Sequence, residues 1–481
     1  MVFSGIPFLF FFLPLCLAAY FAAPFRFKNG VLLLFSLIFY AWGEPVYILL
    51  MLFVSFSDYI IGRLMDAFGS ETSKRRAFLI LSILIDLSVL CFFKYADFAA
   101  DSLNSLLKLL LPASGISVRG PGVALPIGIS FFTFQSMSYI FDLYKKDVEA
   151  EKNYLDYITY ISMFPQLIAG PIVRYITVHN ELHERNISSE DISEGAERLA
   201  LGLFKKVLIA NRAGLLFDTV QAYAAAGTLA PGVPLSAASA WLGAISFTLQ
   251  LYFDFSAYSD MAIGIGRILG FHFNENFNYP LSAVSITDFW RRWHISLSSW
   301  FRDYVYIPLG GNRKGAVKQL RNMFIVWFLT GLWHGASWNF VFWGLWHFSF
   351  LVIEKYFLGR FIEKLPGILQ HAYALFVIVT GFVIFAITDM GELSYFFAAM
   401  FMNGALIGSD FMWLFRNFGV VFMLAFVLAF PVYPLLKAAF SAGNGSRAFR
   451  AFETIIFIVL FIFTVSYLVA DTYNPFLYFR F

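Results

Sequence analysis

The sequence predicts an all-α, polytopic membrane protein, and three observations carry that reading. First, 59% of its 481 residues are hydrophobic and only 14% are charged, whereas soluble domains carry about 25% charged residues. So apolar a chain cannot keep its whole surface polar, and lipid must cover much of it. Second, apolar segments follow one another almost to the C-terminus. Third, the few ionisable residues inside those segments sit where burial is costly and chemistry is the default explanation. Aromatics reach 20%, including 61 Phe, and the net charge of +3 points to no nucleic-acid partner.

In chain order the candidate spans are roughly 6–23, 31–43, 46–66, 77–96, 122–141, 157–173, 199–221, 240–253, 257–270, 322–350, 372–388, 394–408, 411–435 and 452–470. Several fall short of the ~20 residues that a straight span needs. Those are read as re-entrant or tilted, leaving roughly ten to thirteen true spans. No Lys or Arg precedes Arg26, and Ile6–Ala23 is long enough to cross, so this stretch is expected to be a retained first helix. Cys16 and Cys91 lie in apolar runs and are expected to pack as small hydrophobes. No repeat or soluble domain is visible, so residues 1–481 read as one membrane domain.

Basic residues in short loops set the expected orientation. Arg26 and Lys28, then Lys74, Arg75 and Arg76, then Lys145 and Lys146 share one side if 31–43 and 46–66 form a hairpin turning at Gly43-Glu44-Pro45. That side is expected to be cytoplasmic. The rule then meets an obstacle. Arg313, Lys314, Lys318 and Arg321 precede segment 322–350, and Lys355, Arg360 and Lys364 follow it. Either the segment doubles back or the bias fails there. In 157–173, Pro165 and Gly170-Pro171 interrupt a helix. Broken backbone at membrane depth requires burial in protein or a cavity, so a re-entrant turn is expected, with an interfacial loop as the alternative.

The stretch DFWRRWHISLSSWFRDYVYIPLGGNR (288–313) is the most informative. Placed on one helix, Phe289, Trp290, Trp293, Leu297, Trp300 and Phe301 fall within an arc of roughly 120°. Arg291, Arg292, Ser298 and Arg302 lie opposite, and His294 sits at the boundary beside Ser298. Ser285 with Asp288 resembles a capping box. The pattern predicts an amphipathic helix at the membrane interface, its tryptophans at headgroup depth. The arginines then meet either lipid phosphates or an anionic substrate.

His334 lies near the middle of 322–350, about 20 Å from Arg321 if the segment is one helix. On that helix Thr330, Gly331 and Ser337 share its face, leaving room for a substrate or a neighbouring backbone. An intramembrane histidine is expected to be functional; the alternative is a hydrogen bond across a helix interface. Other signals are weaker. Asp254 and Asp260 stand in an apolar run as orienting or capping groups. His179 and His183 have metal-like i, i+4 spacing, but read as members of a polar loop without a third ligand, so no metal site is expected. His272, His347 and His371 sit near segment ends, where packing roles suffice. Nucleotide-binding, zinc-cluster and nucleophile-elbow motifs are missing.

These motifs, in order, resemble the membrane-bound O-acyltransferase family, and within it the branch that O-acetylates alginate and peptidoglycan. The resemblance runs through FYAWGEP (39–45), ALPIGISFFTFQSMSYIFDLY (124–144), MFPQLIAGPIVRY (163–175), GFHFNENFNYPLSAVSITDFW (270–290), the RRWH segment, GLWHGASW (331–338) and NPFLYFRF (474–481). Ala257 stands where the family has glycine. The resemblance implies a ring of tilted helices with re-entrant segments around a central funnel or tunnel. It implies that His334 is the family's essential histidine and His294 its second. It implies a bacterial inner-membrane location and an extracytoplasmic SGNH-type acetyltransferase partner. No bound cofactor is implied; acetyl-CoA or another thioester is the donor, and an exported polysaccharide the acceptor.

On that reading a neutral His334 acts as base or nucleophile, while His294 orients the thioester or polarises its carbonyl. Arg291, Arg292 and Arg302 meet the donor's phosphates, and Ser298, Gly331 and Ser337 line the substrate. A flippase for a lipid-linked sugar predicts internal repeats with matched broken helices, and none is seen. Transfer of D-alanine, or to a lipid, is not separated by motif.

Overall fold

In a computed structural model, residues 1–69, 71–113, 115–226, 235–401, 405–441, 446–470 and 476–477 are described. Helices and their connections account for all regular structure among them. The motif at 474–481 lies almost wholly outside these residues. The first third runs through α1 (Leu13–Ala22), α2 (Phe25–Gly43), α3 (Ile48–Ala67), α4 (Thr72–Leu110), α5 (Ile129–Lys145), α6 (Tyr154–Ser162), α7 (Phe164–Leu167) and α8 (Tyr175–His183). The middle is α9 (Ser189–Phe204), α10 (Asn211–Ala226), α11 (Ala237–Ile268), α12 (Ile286–Arg292), α13 (Ile295–Phe301), α14 (Ala316–His334) and α15 (Trp338–Ile353). The last part is α16 (Gly359–Ile362), α17 (Gly367–Ala386), α18 (Met390–Phe401), α19 (Ser409–Leu428), α20 (Val432–Ser441) and α21 (Ser446–Ala470).

Among the described residues, six helices are long and apolar enough to cross a bilayer alone: α2, α3, α4, α17, α19 and the Phe452–Ala470 part of α21. The other expected spans are shorter, broken or buried in protein. The long α11, for instance, lies inside the fold along almost its whole length. Large apolar side chains stand exposed along the outer helices. On α3 they are Leu49, Phe53, Phe56, Ile60 and Leu64, and on α4 Ile80, Leu81 and Leu84. In water such a surface would aggregate, and lipid covers it.

Segment 322–350 doubles back, which resolves the charge conflict. The α14 helix ends at His334, and α15 returns antiparallel beside it. Phe324 packs on Phe348, and Tyr356 donates to Gln319 across the far end at 3.1 Å. A Cβ on Gly331 would stand 2.4 Å from the Phe340 carbonyl oxygen, and one on Gly344 2.4 Å from that of Trp327. Glycine at both places is what lets the helices touch backbone to backbone. Gly331 therefore fits a helix contact and does not open space for substrate. With the hairpin closed, the basic residues at 313–321 and 355–364 fall at the same end.

Segment 157–173 is buried throughout, which excludes an interfacial loop. The chain breaks between α6 and α7, and its freed polar groups are met from elsewhere in the protein. Phe164 N donates to Ser36 Oγ at 3.1 Å, Gln166 Nε2 to Tyr160 O at 2.7 Å, and Ile172 N to Ser296 Oγ at 3.0 Å. Ala257 sits mid-helix in α11, where alanine is the stronger helix former. Asp254 is ion-paired with buried Lys206 at 2.5 Å, and Asp260 with Arg198 and Lys205, so both carboxylates hold helices together. Cys16 is buried and Cys91 exposed, and both are free thiols.

The apolar core divides into two clusters. One joins α1–α8 to α13 and Trp333; the other joins α10–α12 to α17, Phe340 and Trp343. The seam between them runs between α12 and α13, and between Trp333 and Trp343.

Candidate active site

Two histidines lie on this seam because two helices are interrupted there. The helix expected over 288–303 is in fact two. Ser285 Oγ accepts from Asp288 N at 3.0 Å and starts α12 as foreseen, but the helix stops at Arg292. Trp293 is extended, and His294 is left-handed with φ +44°, immediately before α13. A left-handed conformation is rare outside glycine, asparagine and aspartate, and here it is imposed from 18 residues upstream. The Asn276 backbone carbonyl accepts from Ile295 N at 3.0 Å. Asn276 Oδ1 accepts from Ser296 N at 3.2 Å and Ser296 Oγ at 2.9 Å, and lies 3.2 Å from His294 Nδ1. Asn278 N donates to Arg292 O at 2.9 Å, holding the other side of the break.

This clamp fixes the tautomer of His294. The donation from Ser296 N identifies Oδ1 as the amide oxygen, a pure acceptor, so His294 Nδ1 must carry the proton. Nε2 is then a bare lone pair, and it has no hydrogen-bond partner among the described residues. A neutral His294 in this state has no Nε2 proton with which to polarise a carbonyl. That corrects one of the two roles expected for it.

His334 is the last residue of α14. Gly335 is extended, and the chain turns through Ser337 into α15. The expected helical face through Ser337 therefore does not exist; Ser337 lies in the turn, half-buried. Thr330 donates to its own helix at Val326 O, 2.7 Å. The His334 ring is packed by Trp333, Trp343 and Phe385, with centroids at 5.1, 4.8 and 5.3 Å. Its Nε2 also has no hydrogen-bond partner among the described residues. The two imidazole centroids lie 6.4 Å apart. His294 is wholly buried, while His334 keeps 6% exposure, so only the latter presents surface to an incoming molecule.

Lys94 and Tyr95 of α4 were not singled out from the sequence. Lys94 Nζ donates to Trp333 O, and to Ser130 Oγ at 3.1 Å, and Tyr95 OH donates to Leu332 O at 2.7 Å. These bonds satisfy carbonyls orphaned where α14 stops. The available signal was a lone lysine at the end of an apolar run (77–96), a position that read as a span boundary. His347 is likewise not peripheral. It is fully buried, and its Nδ1 accepts from Trp290 Nε1 at 3.3 Å. Its proton therefore sits on Nε2, which leaves it no free lone pair.

The remaining expected residues do not gather around the pair. Trp290, Trp293 and Trp300 are buried in the core and do not lie at headgroup depth. Arg291 is exposed. Arg292 is paired with Asp288 at 2.9 Å, and Arg302 with Asp303 at 2.7 Å. Burial would raise the Asp303 carboxyl, but hydrogen bonds from Arg302 and Arg174 outweigh it and hold the group below the usual carboxylate range. Ser298 is half-buried on α13. The helical break rotates these groups off the single polar face that the periodicity suggested. His179 and His183 are not in a polar loop either: they lie on α8, and Glu151 stands beside them.

The chain is similar to known proteins along most of its length. A family model for the membrane-bound O-acyltransferases matches residues 45–391, which include both histidines. A probable alginate O-acetylase of Azotobacter vinelandii is 42% identical over 410 residues, covering 85% of this chain and 80% of that protein. One from Pseudomonas putida is 38% identical and covers both chains completely. A peptidoglycan O-acetyltransferase of Helicobacter pylori is 35% identical over 380 residues, 72% of this chain and 69% of that one. With most of its length matched and its broken helices bringing two buried imidazoles together, the chain belongs to the membrane-bound O-acyltransferase family.

Proposed function

We propose that the protein transfers an acetyl group from a cytoplasmic thioester, acetyl-CoA, across the inner membrane of a bacterium toward O-acetylation of an exported, alginate-like polysaccharide. The observation that carries this reading is the pair of buried imidazoles, each with an unpartnered Nε2, at the seam of the fold. His334 is the catalytic base. It takes the proton of the acceptor hydroxyl as the oxygen attacks the thioester carbonyl. As the C–S bond breaks, the imidazolium returns that proton to the departing thiolate. His294, wholly buried with its ring 6.4 Å from that of His334, acts as a positioning residue behind it. The thioester supplies the free energy, so no nucleotide hydrolysis is needed.

The relatives' names favour acetyl as the group and a polysaccharide as the acceptor. The hydroxyl acylated at His334 belongs to a carrier, from which an extracytoplasmic SGNH-type acetyltransferase places the acetyl group on the polymer outside the membrane. Arg291 is the exposed cation for the donor's phosphates, Arg292 and Arg302 being occupied by carboxylates. The test is H334A in cells that make the polymer, scored for bound acetyl at matched protein levels. The expected result is complete loss. Acetylation retained at the wild-type level overturns the role of His334, and transfer of labelled acetyl from acetyl-CoA by purified protein identifies the donor.

A further inference from the structure

Away from the seam, one group of side chains has the chemistry of a metal centre. Glu151 is buried in the connection between α5 and α6, its side chain only 3% exposed. Its carboxylate is aimed by the backbone: Oε1 accepts from Lys152 N at 2.7 Å and from Asn153 N at 2.9 Å. Oε2 faces α8. It accepts from Tyr175 OH at 2.6 Å and lies 3.0 Å from His183 Nε2. One turn earlier on α8, His179 Nδ1 lies 2.9 Å from the same Tyr175 hydroxyl. The two imidazole centroids are 5.1 Å apart, their planes crossed at 78°. One ligand atom from each of Glu151, His179 and His183 falls within 4.8 Å of the others.

We propose that Glu151, His179 and His183 form a zinc-binding site that fastens α8 to the α5–α6 connection. Two imidazoles and one carboxylate are a three-ligand zinc set, with water in the fourth position. Magnesium and calcium prefer oxygen ligands throughout and fit this set poorly. Zinc bonds of about 2.0–2.1 Å put tetrahedral ligand atoms ~3.4 Å apart. The Glu151–His183 pair, at 3.0 Å, is already near that spacing, and a ligand atom of His179 lies within 4.8 Å of both.

The supporting shell is in place before any ion arrives. Tyr175 is packed on Tyr139 and Tyr160, with centroids at 4.9 and 5.3 Å, and Glu151 N donates to Tyr139 OH at 3.0 Å. The phenol and the two backbone amides orient the carboxylate, as outer-shell groups orient metal ligands elsewhere. The His183 side chain is 43% exposed, which gives an ion a way in. The site is separate from the His294–His334 pair and independent of the reading given for it.

The test is calorimetric titration of zinc into full-length, chelator-stripped protein in detergent, with a thermal melt alongside. The expected result is one saturable ion per chain and a raised melting temperature, with no response to magnesium. H183A, at a half-exposed position that tolerates truncation, should weaken binding at least about tenfold, and H179A/H183A should abolish it. H272A, which removes a different exposed histidine, should bind as the wild type does. No saturable binding by the wild type, or equal binding by H179A/H183A, overturns the proposal.

Discussion

Replacing Asn276 by leucine tests whether the clamp on His294 makes the site. Leucine has the same branched outline of four heavy atoms as asparagine, so it fills the space and keeps water out. It removes the one oxygen that faces Ser296 N, Ser296 Oγ and His294 Nδ1, at 3.2, 2.9 and 3.2 Å. A buried donor left unsatisfied costs about 1–3 kcal/mol. Histidine escapes by moving its proton to Nε2, and the serine hydroxyl can rotate. The backbone N–H of Ser296 has no such exit. The expected loss is therefore about 2–4 kcal/mol of stability, read as a lower melting temperature in detergent. The loss of transfer should be larger than the loss of stability accounts for. The tautomer change gives His294 a donor where it had an acceptor, and the left-handed turn loses its side-chain anchor while keeping the backbone bond from Ile295 N. Acetyl transfer from labelled thioester, normalised to folded protein below the variant's melting temperature, should fall by about 100-fold, of the order seen when a remote change misplaces a reacting group. A variant that melts as the wild type does and transfers at an equal rate refutes the argument that Asn276 sets the chemistry of His294.

Lys94→Met leaves the Trp333 carbonyl without its charged donor at the end of α14. It should cost about 1.5–3 kcal/mol and reduce transfer, whereas Lys94→Arg should recover part of both; full activity in Lys94→Met would remove Lys94 from the site. Gly331→Ala places a Cβ 2.4 Å from the Phe340 carbonyl oxygen, so the α14–α15 hairpin must open at a cost of about 1–3 kcal/mol; an unchanged melt would mean the helices are not in backbone contact. His347→Gln keeps an acceptor for Trp290 and should retain transfer, while His334→Gln should not. Equal loss in the two would show that a buried histidine as such, and not a free lone pair, is what the fold requires.

The sequence revealed the membrane class through composition, His334 through its cost in an apolar span, and His294 through its place between the apolar and charged faces of an expected helix. It revealed the doubled-back hairpin only as a conflict of loop charges, which the break at Gly335 resolves. What stayed hidden has a common cause. The 3.6-residue period runs unbroken from Phe289 to Phe301, so nothing local announces that the helix stops at Arg292. The interruption is dictated by Asn276, whose contact with His294 is invisible to a reading of neighbours. The same period cannot distinguish an aromatic stripe that faces lipid from one that faces a second core. Trp290, Trp293 and Trp300 belong to the second kind. Glu151 escaped for a similar reason: 28 residues separate it from His179, and only the packing of α8 on α5 and α6 closes that gap.

The two helix breaks explain why these histidines, and not the others, are available for chemistry. An interrupted helix leaves backbone groups without partners, and at membrane depth each orphan costs several kcal/mol. The nearest side chains able to relieve that cost would be the histidines themselves. At both breaks the relief comes from elsewhere. Lys94 and Tyr95 reach across from α4 to the carbonyls of Trp333 and Leu332. Asn276 takes the amides of Ile295 and Ser296. His334 thus ends a helix, and His294 precedes one, without either Nε2 being drawn into backbone repair. His347, embedded in an unbroken helix, has its acceptor taken by Trp290 instead. The fold tolerates two costly interruptions and caps both from a distance. The product of that arrangement is a pair of buried imidazoles on the seam, neither of whose Nε2 atoms is spent on the described backbone.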